Sequence, residues 1–203
     1  MADRGRSAVD HASVLPVVPV TKQRACRRVG DNARHPRYPF EPATGGDTTM
    51  MNDTVLHYID QSVLCWLATV DDDGGPNVSP KEIFCARGRD ELLIANIASP
   101  GSLRNIRQRP LVCASFVDVF VQKGFKLKGV ARAIVAGEPA FDAAAEPLAR
   151  MAGASFPFAS VFVVAVKSVE PIVAPRYRLY PDTTESAQIE SALQTYRVQR
   201  PAR

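Results

Sequence analysis

"LLIANIASPGSLRNIRQRPLVCASFVDVFVQKGFKLKGVA" (92–131) holds two changes of period within forty residues. It leaves an apolar strand (91–97), passes through Ser-Pro-Gly-Ser, and enters a short helical pattern. It then returns to strand periodicity over 111–121 and 124–136. Ser99 suits a helix cap, Pro100 suits the first helical position, and Gly101 lets another group approach the backbone. Leu103 and Ile106 supply the helix's inward face, and Arg104, Arg107 and Arg109 are expected to face solvent. The first turn carries no Asp or Glu. Its unpaired N–H groups and partial positive charge therefore favour an external anion.

The flanks extend the same pattern. Asn52 or Asp53 caps a helix ending near Ser62, and "VLCWLATV" (63–70) reads as a buried strand. "DDDGGP" (71–76) is a hairpin turn by its Asp and Gly content, and "NVSPKEIFCA" (77–86) is the returning strand. Residues 87–90 turn into the strand at 91–97. Downstream come a helix over 139–151, a long strand over 160–173, and a closing helix over 183–197 capped by Asp182, Thr183 or Thr184. Six strands joined by tight turns, with few helices, predict an α+β chain built on a closed antiparallel barrel whose gaps the helices plug.

Three segments follow. Residues 1–49 mix Arg, Pro, Gly, Ser and Thr without a period and read as a disordered N-terminal extension. Residues 50–175 form the barrel domain, and 176–203 form a C-terminal segment with a helix. The pair Met50–Met51 precedes the first helical signal and marks a candidate biological start.

The 203 residues carry a net charge of +4, but the ends hold the excess. Lys plus Arg against Asp plus Glu is 8 to 5 over 1–49, 12 to 13 over 50–175 and 5 to 3 over 176–203. A near-neutral centre is a poor nucleic-acid groove. A binding module using Arg104, Arg107, Lys126 and Lys128 is the rival reading; such binding weakens steeply with salt. Cys26, Cys65, Cys85 and Cys113 show neither zinc spacing nor a redox pair, as expected of free thiols in a reducing cytoplasm. No apolar run reaches the ~18–20 residues of a membrane helix. "VLPVVPV" (14–20) is broken by two prolines and does not read as a signal peptide.

His57 is the sole histidine after residue 49, which argues against Ser-His-Asp and Cys-His nucleophiles and against a His-rich metal site. Asp71, Asp72 and Asp73 read as a solvated hairpin tip. With no catalytic acid or base to assign, redox chemistry would fall to a bound cofactor. The basic and hydroxyl residues are better placed. Period two puts Asn77, Ser79 and Lys81 on one strand face, with Val78, Glu82 and Phe84 on the other. Pro80 marks an edge or ladder break where a ligand can approach. Lys126, Lys128 and Arg132 share a face of the 124–136 strand, which is either an ordinary polar surface or part of the site.

"NVSPKEIF" followed by the 92–131 stretch resembles the pyridoxamine 5′-phosphate oxidase-like, FMN-binding split-barrel family, over about residues 54–170. The resemblance implies a six-stranded split barrel that dimerises, with two flavin sites at the subunit interface. It places phosphate contacts on Ser79 and Lys81, flavin-ring backbone contacts near Ala95 and Asn96, and hydroxyl contacts on Ser99 and Ser102. Gln122 and Lys126 would come from the second subunit. Pyridoxamine phosphate oxidases proper carry an Arg-Lys pair where this chain has Gly101 and Ser102. Their C-terminal Arg/His substrate motif is not recognisable in "RYRLYPDTTESAQIESALQTYRVQR" (176–200). The expectation is therefore a cytoplasmic homodimeric FMN oxidoreductase acting on a small substrate, without vitamin B6 oxidation itself. A deazaflavin is the alternative cofactor; no metal, nucleic-acid or membrane partner is expected.

Overall fold

The computed structural model describes residues 51–199, so the expectations for residues 1–49, for Cys26 and for Met50 lie outside the described residues. In order the chain forms α1 (Asp53–Gln61), β1 (Cys65–Val70), β2 (Pro76–Lys81), β3 (Phe84–Arg87), β4 (Glu91–Ala95), α2 (Pro100–Gln108), β5 (Leu111–Asp118), β6 (Lys123–Val135), α3 (Phe141–Ala152), β7 (Ser160–Val173), α4 (Pro175–Leu179) and α5 (Glu185–Tyr196). The seven strands make one antiparallel sheet in the order β2-β1-β5-β6-β7-β4-β3.

That order explains the one strand the sequence reading ran together. The stretch 77–86 is two strands: β2 pairs with β1 and β3 pairs with β4, the two ends of the sheet. Because β2 and β3 are consecutive in the chain, Glu82 and Ile83 join those ends and the sheet curls closed. The partner switch also resets the alternation. Phe84, expected to share the face of Val78 and Glu82, is buried in the barrel interior while Val78 is exposed. Ile83 and Cys85 turn instead to a second cluster beneath α3.

Local chemistry sets the other boundaries. Asp71 closes the β1–β2 hairpin: its N–H donates to Gly75 O at 3.0 Å, and its Oδ1 accepts from Gly75 N at 2.6 Å. Gly74 takes φ +89 in that turn, a conformation side chains resist. β5 stops at Asp118, short of the expected Val121, because the Asp118 carboxylate accepts the N–H groups of Phe120 (2.9 Å) and Val121 (3.1 Å). This Asx-type turn replaces ladder pairing. The helix α4 was not foreseen, and α5 starts at Glu185 with the Thr184 hydroxyl capping Ala187 N at 3.2 Å.

Leu67, Ile94, Phe116, Phe125, Leu127 and Phe162 fill the interior, and α1 covers one end through Val55, Leu56, Tyr58 and Ile59. The apolar face of α3 packs outside β4 and β7. Cys65 and Cys85 are buried and Cys113 half-buried, all three free thiols. Among the described residues no helix is long and apolar enough to cross a membrane.

Candidate functional site: an anion-binding edge beside α2

β2 pairs on one side only, and its inward side chains reach the start of α2. Asn77, Ser79 and Lys81 point inward while Pro76, Val78 and Pro80 are exposed, the alternation read from the sequence. Two side-chain bridges cross to the helix. Lys81 Nζ donates to Ser99 Oγ at 2.5 Å, and the hydroxyls of Ser79 and Ser102 lie 3.0 Å apart. Ser99 does not cap α2 through its side chain, as its sequence position suggested, because its hydroxyl accepts from Lys81 instead. The first turn of α2 thus keeps no side-chain cap and no acidic residue.

Lys81 is the electrostatic centre of this arrangement. It is 5% exposed, and no carboxylate among the described residues lies within ion-pair distance. Its ammonium sits over the Phe162 ring, 5.7 Å from the centroid. Burial lowers its pKa from 10.5 to about 8. The sign of the linkage is then fixed. Between about pH 8 and 10.5 the unfolded chain holds a proton on Lys81 that the folded chain has released, so the ligand-free protein gains stability as pH rises through that window. Denaturant melts at pH 8 and pH 10 check this: Lys81→Met should lose that increment, and an identical pH response in the variant would refute the assignment.

A second polar pair lies one step further along the inner face. Asn96 follows β4; its backbone N–H donates to Ser160 O and its Nδ2 to Ser160 Oγ, both at 2.9 Å. Asn96 Oδ1 is buried without a hydrogen-bond partner. Buried polar atoms in native structures are seldom left unpaired. Thr69 Oγ1 gathers two further amides, from Asn77 (3.2 Å) and Asn105 (3.1 Å).

The expected site residues fall into two groups. Ser79, Lys81, Ser99 and Ser102 come together, with Asn96 adjoining. Ala95 instead faces the cluster under α3, and its N–H is taken by Ile83 O at 2.9 Å. Gln122 lies in the β5–β6 turn with φ 58, and Lys126 lies on the outer sheet face, ion-paired to Glu170 at 2.8 Å. Lys128 bonds the other oxygen of Glu170, and the two lysines hold that carboxyl down to about 2. Arg104, Arg107, Arg109 and Arg132 are exposed. Ser160, Phe162 and Asn105 escaped the sequence reading because nothing in their local sequence signals a contact formed only on folding.

A buried, uncompensated ammonium, three hydroxyls, an uncapped helix start and an orphaned acceptor fit an anionic ligand that also offers a hydrogen-bond donor. The fold is a split barrel with a buried, uncompensated cation beside the start of α2. The chain belongs to the pyridoxamine 5′-phosphate oxidase family, whose model matches residues 51–182. Solved structures share the fold. HupZ of Group A Streptococcus is 21% identical with a TM-score of 0.51, over 59% of this chain and 92% of its own. A candidate pyridoxamine 5′-phosphate oxidase from Lactobacillus delbrueckii gives 21% and 0.51 over 61% and 95%. An FMN-binding protein from Syntrophomonas wolfei gives 15% and 0.51 over 59% and 84%. No curated protein matches the chain.

Proposed function

We propose that this chain is a cytoplasmic FMN-binding flavoprotein that works as a homodimeric oxidoreductase on a small substrate. The observation that carries the reading is Lys81: a buried cation bonded to Ser99 at the start of α2, with no carboxylate among the described residues to neutralise it. A phosphate monoester supplies the missing charge. Bound flavin would supply hydride or electron transfer. Lys81 would neutralise the phosphate, Ser79, Ser99 and Ser102 would donate hydrogen bonds to it, and α2 would add its N-terminal field. Phe162 and the barrel wall would keep water from the Lys81 side of the site. The chain assigns no group of its own to proton transfer.

Dimerisation has its own support. The outer face of β2, β1, β5 and β6 exposes Trp66 (46%), Val78 (57%) and Leu111 (70%), with Val130 cross-strand from Leu111. Exposed apolar residues gathered on one sheet face suit a self-complementary interface. Lys126 borders that face. A second copy seated there would bring Gln122 and Lys126 of the partner subunit to the cofactor, as the family resemblance implies.

The test is the absorption spectrum of the purified protein, the mass of the chromophore it releases, and the mass of the assembly in solution. Yellow protein releasing FMN from a dimer is the expected result. Release of a deazaflavin would replace the cofactor and keep the site. Protein that takes up neither cofactor would overturn the reading.

A further inference from the structure

The turn between β5 and β6 is held more firmly than a surface connection requires. β1 begins at Cys65, opposite Phe116, so residues 117–123 run past it and project from that side of the sheet. In the turn Gln122 takes φ 58, the left-handed region that residues with a Cβ rarely occupy. Such a conformation persists only where the surroundings enforce it, and it is a pointer to function. Here the surroundings are the C-terminal segment. Ala174 N donates to Gln122 O at 3.1 Å, and the Tyr177 hydroxyl donates to Val121 O at 2.8 Å. Lys123 Nζ donates to Glu185 Oε1 at 2.8 Å and lies 4.3 Å from the centroid of the Tyr177 ring. Tyr196 meets Phe120 edge to face, with centroids 6.1 Å apart. Residues 120–123 are thus tied one after another to 174–196, and α5 is itself seated through buried Gln188 and Ala192.

Gln122 is held by its backbone, from Asp118 O at 2.7 Å on one side and Ala174 N on the other. What these bonds fix is the direction of its half-buried side-chain amide. We propose that the 174–196 segment is a clamp on this turn, with Tyr177 and Glu185 as positioning residues that pre-set Gln122 for the cofactor of the partner subunit; this rests on the dimeric flavin reading above. A turn released from the clamp relaxes away from φ 58 and presents Gln122 only part of the time, and affinity falls by that fraction. Burial, with Glu185 and Asp118 nearby, pushes the Tyr177 phenol up to about 12, so it stays a donor at neutral pH. The C-terminal segment, which carries no recognisable substrate motif, then serves the site through the turn it holds.

The test is complementation between variants of the full chain, read by quenching of flavin fluorescence with FMN, or with a deazaflavin if the parent releases one. Tyr177→Phe/Glu185→Gln keeps the side-chain shapes and removes two ties; its homodimer should bind about tenfold more weakly than the parent. Tyr177→Phe alone replaces it if the double variant is insoluble. A mixed dimer with Lys81→Ala, isolated through two different tags, has one site with an intact Lys81 and a clamped Gln122, and one site lacking both. Parent affinity at half the sites is the expected result. A mixed dimer with no tight site, or parent affinity in the clamp-variant homodimer, would overturn the inference. Gln122→Ala added to the clamp variant should cost nothing beyond Gln122→Ala alone, since the clamp acts through that side chain. Additive losses would make the segment structural and refute the positioning role. A parent that is monomeric, or binds neither FMN nor a deazaflavin, overturns the dimeric flavin reading itself before any variant is made.

Discussion

Alanine at position 81 is expected to abolish binding of the proposed flavin while leaving the protein folded. Lys81 is buried and bonds the neutral Ser99 hydroxyl, so it makes no ion pair that would anchor the apoprotein. An isolated buried charge destabilises, and burial lowering its pKa to about 8 is the same fact in another form. A charge-assisted hydrogen bond to a ligand phosphate contributes about 1.5–3 kcal/mol, so its loss should weaken binding by roughly ten- to a hundredfold. The variant should therefore purify colourless, with a melting temperature equal to or above that of the cofactor-free parent. Flavin retained at the parent level would remove Lys81 from the site; a collapsed melting temperature would make it structural.

Valine at position 124 should have a large effect, and on the fold. A Cβ at Gly124 would stand 2.0 Å from Phe116 O and 2.8 Å from Val117 Cα, both backbone atoms of the neighbouring strand. Neither can yield without breaking the β5–β6 ladder, in which Gly124 pairs with Val117. Strain of this kind costs several kcal/mol, a large part of a domain's stability of about 5–15 kcal/mol. The expected result is loss of soluble protein, or a melting temperature lowered by well over ten degrees. Gly101→Ala is the control, since a Cβ there meets nothing within 4 Å. A Gly124→Val protein as soluble and stable as that control would contradict the close approach.

Elements whose signals are local were legible in the sequence. Alternation placed Asn77, Ser79 and Lys81 on one face, and Pro100 with its apolar partners Leu103 and Ile106 marked α2. The long β7 has the bounds that its apolar run suggested. What escaped depends on residues distant in sequence. Nothing in "NVSPKEIFCA" reveals that the strand changes partners at Glu82–Ile83, because both partners are contributed elsewhere. Ser99 looked like a cap because helix starts favour serine, and Lys81, 18 residues away, takes its hydroxyl. Asn96 and Ser160 are 64 residues apart, so the amide's orientation and its orphaned oxygen appear only once β4 lies against β7. Lys126 shared a face with Lys128 as expected, yet Glu170 on β7 holds both.

The switch from β2 to β3 makes the barrel resemble a cuff fastened at a seam. Backbone ladders run from β2 round to β3, and across the gap between β2 and α2 the fastening is done by side chains: Lys81 to Ser99 and Ser79 to Ser102. Whatever ligand takes up those four groups also ties the seam. Its binding energy then opposes opening of the whole cuff, so occupancy registers in global unfolding as a rise with ligand concentration, and not as a local stiffening of one loop.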